Sequence, residues 1–288
     1  MACILGEGPR WDSNNESLIF VDVLPGLLHR VNPDSSGQLD PGNVTSANVG
    51  QPLGAANLAA DGGLVLAMRD GIYLTSPEAT AIRLLAAIEL EIPTNRMNDA
   101  ACDPQGRLWA GTMSFEAAAN AGTLYRIDPD GTVTAVVTDA TISNGLCWSP
   151  AGDLMYFIDS PTLRIDVFDF NADQGTVHNR RTFIDLSQAP GIPDGMTIDS
   201  DGGLWVALWG GAQVQRYGSD AVLTDIVNVP VPQPTSCTFG GRDGQDLYIT
   251  SARVGLSQGD LDDYPLSGSV FVTRPGYSGL PTFTFGEP

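Results

Sequence analysis

Lysine is absent from this 288-residue chain: all 14 basic residues are arginines, set against 34 acidic ones. That absence excludes Schiff-base chemistry and a phosphate-binding P-loop, which both need a lysine amine. The formal net charge of −20 leaves no basic face for a nucleic-acid backbone or an anionic membrane surface, and reads as a soluble surface. No apolar run approaches the roughly 18 residues that a membrane helix needs. No amphipathic helical window extends beyond about three turns. There is no Gly-x-Ser-x-Gly elbow, and so no hint of a serine hydrolase. The four cysteines, Cys3, Cys102, Cys147 and Cys237, form no Cys-x-x-Cys pair. Three of them fall in apolar strands, so buried free thiols are expected. Met1-Ala2-Cys3-Ile4 runs directly into Leu5 with no leader pattern, and a cytoplasmic location is the expectation. Nothing in the sequence sets an oligomeric state.

What is abundant is turn punctuation, with 33 glycines and 20 prolines distributed along the chain. Gly62, Gly106, Gly152, Gly202 and Gly244 each sit in a polar turn that precedes an apolar run, and Asn15 takes the equivalent place near the start. Both residue types tolerate positive φ. The runs Leu18–Val23, Leu64–Met68, Leu108–Thr112, Met155–Asp159, Leu204–Leu208 and Leu247–Thr250 read as strands. Further strands follow at Thr123–Ile127, Ile165–Phe170, Gln213–Tyr217 and Ser269–Thr273. The turns recur every 42 to 50 residues, six times in all. A period of that length carrying several strands predicts an all-β, six-bladed β-propeller with four antiparallel strands per blade, filling residues 1–288 as one domain.

A propeller gives the repeat phase a spatial meaning. The strand before each turn is the innermost of its blade, so equal offsets place residues on one ring around the axis. Eight positions before each turn the sequence reads Glu7, Gly54, Asn98, Asn144, Asp194 and Ser236. Four of these carry side-chain carboxylate or amide oxygens, with Asp99 beside Asn98. Taken singly, each could cap a strand or fill the channel with hydrogen bonds. Taken in common phase, they point to a cation at one mouth of the channel, because converging carboxylates repel unless neutralised. Oxygen donors suit Ca²⁺, Mg²⁺ or Mn²⁺, with Zn²⁺ or Fe²⁺ also accommodated. Gly54 and Ser236 leave room for a ligand. The two histidines, His29 and His178, fall outside the ring, in what read as a strand and a loop. Trp148 reads as inter-blade packing.

Several ordered motifs also resemble those of the senescence-marker-protein (regucalcin)/gluconolactonase family. They are Leu5-Gly6-Glu7-Gly8-Pro9-Arg10-Trp11, Asn95-Arg96-x-Asn98-Asp99, Gly111-Thr112-Met113, Ser143-Asn144-Gly145-Leu146 and Pro193-Asp194-Gly195-Met196. Phe239-Gly240-Gly241 and Ser251-Ala252-Arg253-x-Gly255-Leu256 look like its last blade, and the resemblance covers nearly the whole chain. It implies a six-bladed propeller with one divalent metal, calcium first, that opens sugar-acid lactones by metal-activated water. By the same resemblance Glu7, Asn144 and Asp194 are metal ligands, and Asp194 is also the candidate general base. Arg96, Asn98 and Glu116 contact the substrate. On its residues alone Arg96 could instead balance Asp99, and Glu116 could be a solvated loop acid. Two alternatives accompany the lactonase: a promiscuous phosphotriester or aryl-ester hydrolase on the same metal, and a non-catalytic calcium-binding protein. One departure is the short run of four residues before Leu5. It raises the question of how the ring closes, and Pro281–Phe285 is a candidate outer strand for the last blade.

Overall fold

The computed structural model of the chain describes residues 2–34, 37–76 and 81–286. Each in-phase turn closes a hairpin. In blade 3, Asp103 Oδ1 accepts from the backbone N–H of Gln105 (2.9 Å) and Arg107 (3.0 Å), and Gly106 takes φ +79°. In blade 5, Asp199 Oδ1 accepts from Asp201 (3.0 Å) and Gly203 (2.8 Å), with Gly202 at φ +82°. The second oxygen of each aspartate reaches into the core, to Trp109 Nε1 (3.0 Å) and Trp205 Nε1 (2.8 Å). A single side chain thus fixes both the turn and the position of the largest buried residue after it.

Six antiparallel sheets result, each built from consecutive strands. Their first strands are Gly6–Asp12, Leu53–Leu58, Asn95–Cys102, Ser143–Trp148, Ile192–Ile198 and Pro234–Gly240. Each packs on the first strand of the next blade, and the last packs on the first, closing a ring. The six-bladed propeller is borne out. The single α-helix among the described residues is Gln258–Asp263, opened by a Ser257–Asp260 capping box. Apolar side chains fill the wedges between blades. Trp109, Trp148 and Phe170 meet edge-on, with ring centroids 6.0 Å apart, so Trp148 is a packing residue as expected. All four cysteines are free and buried. His178 lies in a strand, Thr176–Asp185, not in a loop.

The last blade departs from the expected four strands. Among the described residues it has three: Pro234–Gly240, Asp246–Ser251 and the short Phe271–Thr273. The C-terminal run expected as its outer strand goes elsewhere, across the channel floor on the side of the turns. Ser200 N–H donates to Ser278 O (2.8 Å), Gly279 N–H to Gly244 O (2.9 Å), Thr282 Oγ1 to Trp11 O (3.0 Å) and Gly286 N–H to Gly106 O (2.9 Å). The reason is burial: Phe285 is 4% exposed and joins the core cluster of blades 2 and 3, which an outer-strand position would not allow. The ring closes through the N-terminal segment instead. Leu5 bridges Ala252, Arg253 N–H donates to Ile4 O (3.0 Å), and Thr235 Oγ1 donates to Gly6 O (2.6 Å). Trp11 stacks on Tyr248 of blade 6 at 5.6 Å.

A strap held by one buried aromatic should be sensitive to it. Phe285→Ala is expected to lower unfolding stability by about 3 kcal/mol, measured as a shift in denaturant midpoint. A shift below about 1 kcal/mol would mean that the strap does not seal the floor.

Candidate functional site

The ring residues are aimed by the backbone. All six first strands carry a register shift at the predicted ring position. In blades 3, 4 and 5 the shift consists of two residues opposite one, Asn98-Asp99, Asn144-Gly145 and Asp194-Gly195. In blade 2 the extra residue is Gly54. Glu7 and Ser236 border the shifts in blades 1 and 6. A bulge bends a strand and turns its side chains out of the alternating pattern, here into the channel. Glycine follows because the neighbouring strand is so close. A Cβ at Gly145 would lie 2.7 Å from Met196 N and 2.8 Å from Asp194 O, and one at Gly195 would lie 2.2 Å from Ser236 Oγ.

The structure brings together Glu7, Arg96, Asn98, Asn144 and Asp194, all buried and all lining one cavity of about 330 Å³. Ser160, Met113 and Trp209 also line it, with Phe115 and Ile192 half-exposed at the rim. The floor is therefore polar and the rim apolar. Glu116 is exposed in the turn after Leu108–Ser114 and is not among the lining residues.

Asn144 Nδ2 donates to Ser160 Oγ at 3.0 Å and to Asp194 Oδ1, while Asn144 Oδ1 is buried with no hydrogen-bond partner among the described residues. Asn98 Nδ2 donates to Ser143 O (3.0 Å) and its Oδ1 accepts from Arg96 Nη1 (2.8 Å). Burial, then repulsion from Asp194 and Asp99, holds the Glu7 carboxyl well above the usual carboxylate range. Burial pushes Asp194 up to about 8, against the hydrogen bond from Asn144. Burial also draws the Arg96 guanidinium down to about 10, against the attraction of Glu7 and Asp194. These are the marks of a site short of positive charge. An orphaned amide oxygen beside two such carboxyls is a donor set that a divalent cation would satisfy, so the residues present fit such an ion.

Asp99 is not balanced by Arg96. Its neighbour is Arg10, whose Nη2 lies 3.8 Å from Asp99 Oδ1. Arg10 is held from beneath by Asn57 Oδ1 (2.9 Å) and Ala100 O (2.7 Å). Arg96 instead faces Glu7 and Asp194 across the cavity floor. Arg10 and Ser160 are the residues that sequence reasoning missed. Arg10 stood inside the first motif, three positions after Glu7, whereas Ser160 has no signal in the repeat phase.

A family model described as the SMP-30/gluconolactonase/LRE-like region matches residues 5–253. Regucalcin of Xenopus laevis is 36% identical over 288 residues, covering 98% of this chain and 94% of that protein. The 6-deoxy-6-sulfogluconolactonase of Pseudomonas putida is 35% identical over 277 residues, covering 96% and 93%. The crystal structure of a calcium-binding protein, regucalcin, from Agrobacterium tumefaciens superposes with a TM-score of 0.93 at 30% identity, over 99% of this chain and 95% of that one. With its fold, its ring of oxygen donors and its full-length relatives in agreement, the chain belongs to the SMP-30/gluconolactonase/LRE-like family.

Proposed function

We propose that this protein is a divalent-metal-dependent lactonase that hydrolyses the cyclic ester of a sugar acid. The observation that carries the reading is the convergence of two buried carboxylates and an orphaned amide oxygen on the floor of a cavity open to solvent. Family membership and relatives named as lactonases support the reaction class. A cavity of about 330 Å³ is of the size that takes a small ligand.

Glu7, Asn144 and Asp194 would hold the ion, calcium in the first instance. Bound there, it would supply Lewis acidity toward the lactone carbonyl and toward water. The chain's own residues do the rest. Asp194 carries two oxygens, so one can serve as ligand while the other takes the proton of the attacking water. Arg96 presents a planar donor fork at the cavity floor, suited to ring hydroxyls or to the ester oxygens. Its Nη1 already spans Met97 O (2.9 Å) and Asn98 Oδ1 (2.8 Å), which fixes the direction of the remaining donors. Asn98 is fixed in turn by Ser143 O and orients the sugar alongside it. Glu116 directly follows Phe115 of the rim, and its carboxylate would meet the sugar from there.

A pH-indicator assay on glucono-δ-lactone, with stripped and reconstituted protein, tests the reaction class. Metal-dependent acid release above the spontaneous rate is expected. Its absence across a panel of lactones, with metal still bound, would favour a calcium-binding role.

Asp194→Asn keeps an oxygen donor but removes charge and basicity. At saturating metal its kcat should fall by about 10²-fold or more, the usual worth of a positioned base. Recovery to near the parent value under those conditions would make Asp194 a ligand only. Arg96→Lys should lower kcat/KM by about 10-fold while metal stoichiometry stays unchanged, because a point charge cannot replace the fork. A silent Arg96→Lys would show that its charge alone matters.

Metal removal should depend on pH, with a definite sign. Glu7 and Asp194 have folded-state pKa values raised above those of an unfolded chain. Across the window from about pH 4 to about pH 8, the metal-free folded state therefore binds more protons than the unfolded one, and stability falls as pH rises. An ion bound to the ionised pair opposes that fall. The Tm difference between metal-loaded and chelated protein should widen from about pH 5 to about pH 8. A difference that is constant across that range would contradict the charge balance described for the site.

A further inference from the structure

A second set of metal-ligating atoms lies outside the channel, where blade 1 meets blade 6. Cys3 Sγ, an Asp22 carboxylate oxygen and a His29 ring nitrogen all lie within 4.8 Å of one another, and all three residues are buried. Among the described residues no other group of three or more His, Cys, Asp or Glu side chains comes so close. The three come from different segments. Cys3 is on the N-terminal run, Asp22 ends the strand Ser17–Asp22, and His29 is central in Leu27–Val31.

Each side chain is held in a way that leaves a ligating position. His29 Nδ1 lies 2.8 Å from Ser46 Oγ, whereas His29 Nε2 is buried with no partner among the described residues, in a residue only 2% exposed. A hydroxyl accepting from Nδ1–H would place the free lone pair on Nε2, the arrangement that a partner behind a metal-bound histidine usually enforces. Asp22 accepts one backbone N–H on each oxygen, from Ile4 and Leu5 at 2.9 Å, and each oxygen retains a second lone pair. A buried imidazole nitrogen without a partner is costly, and the ring that carries it lies in the same cluster as a carboxylate and a sulfur.

The donor set decides the class of ion. A thiolate, an imidazole and a carboxylate match zinc and its neighbours, not the hard cations that an all-oxygen ring suits. With metal–sulfur near 2.3 Å and metal–nitrogen or oxygen near 2.0–2.1 Å, ligand atoms in a tetrahedron stand about 3.5 Å apart. The observed cluster needs to contract by only about 1 Å to reach that geometry. Of the three ligands Cys3 alone also lines a cavity of about 240 Å³, together with Phe20, Gly268 and Phe271, so its sulfur is the ligand that adjoins open space.

We propose that Cys3, Asp22 and His29 form a zinc-class metal site that staples the N-terminal segment to blade 1 at the closure of the ring. The placement gives such a staple something to do. Cys3 N–H already donates to Gly268 O of the last blade at 2.8 Å, and that blade has three strands among the described residues. One ion there would tie the segment to blade 1 while its backbone stays tied to blade 6. Burial and the Asp22 carboxylate push the Cys3 thiol up to about 12, so binding must displace its proton and becomes stronger as pH rises.

Cobalt titration of chelator-treated full-length protein tests this, because a thiolate ligand gives a charge-transfer band that an all-oxygen site cannot. The expected result is a near-ultraviolet band with the amplitude of one thiolate-bound cobalt per chain, whatever further cobalt the channel takes up, and its displacement by zinc. It should persist in Asp194→Asn, which weakens the channel site, and disappear in Cys3→Ser. Zinc should raise the Tm of Asp194→Asn and fail to raise that of an Asp194→Asn/His29→Gln double variant, each first checked for the parent circular dichroism spectrum. His29→Gln keeps the test decisive if Cys3→Ser does not fold. Absence of the band in the parent protein, or an undiminished band in a folded variant lacking Cys3 or His29, would overturn the proposal.

Discussion

The molecule is organised by how closely six strands approach around one axis. At the upper mouth of the channel the inner strands lie backbone to backbone, and at Gly54, Gly145 and Gly195 there is no space for a side chain. A regular pleat cannot meet that requirement, so every inner strand carries a register shift at that level. The shift turns the neighbouring side chain toward the axis. Four of the six positions hold carboxylates or amides, and all four are buried. The site thus follows from closing the ring as much as from chemistry layered on it.

Closing the ring in this way gathers charge. Glu7, Asp99 and Asp194 are all buried within one small volume, with Arg10 and Arg96 as the nearby cations. Arg10 is committed to Asp99, Asn57 and the Ala100 carbonyl beneath the floor. That leaves Arg96 to face both remaining carboxyls, and burial lowers its own hold on a proton. Two acids facing one strained base is an unstable balance in a low dielectric. A divalent cation would resolve it with a single added component. For the same reason a purely structural role for the ring is a poor account: hydrogen bonding alone leaves the Asn144 carbonyl without a donor.

Much of this was legible because it is periodic. The six turns, their following strands and the ring positions share one phase, and the phase survives variation in blade length from 42 to 50 residues. Features that break the period were not legible. Pro281–Phe285 reads as a strand by composition, and only the burial available to Phe285 directs it across the channel floor. His178 looked like a loop residue because polar neighbours surround it, yet it pairs opposite Asp169 in an outer strand, where both faces meet solvent. The Arg10–Asp99 contact joins residues 89 positions apart on different blades, which no local pattern encodes. The role of Glu116 rests on resemblance, because the residue stands in an exposed small-residue turn that carries no repeat-phase signal.

The two parts of the cavity answer to different constraints. Its floor is set by inner-strand backbones in mutual contact, so a substitution there must satisfy the ring before it can alter chemistry. Its rim is not so bound. Phe115 follows the end of one strand, Ile192 begins another, and both are half-exposed, so their side chains can change without disturbing the closure. On the proposed reading, ester hydrolysis draws on the floor, where Glu7, Asn144 and Asp194 would hold an ion beside Arg96 and Asn98. Distinguishing one sugar ring from another would also draw on contacts farther from the floor, where Phe115 and Ile192 stand half-exposed. It follows that reaction class is read from the inner strands, while substrate identity is to be sought in the loops above them.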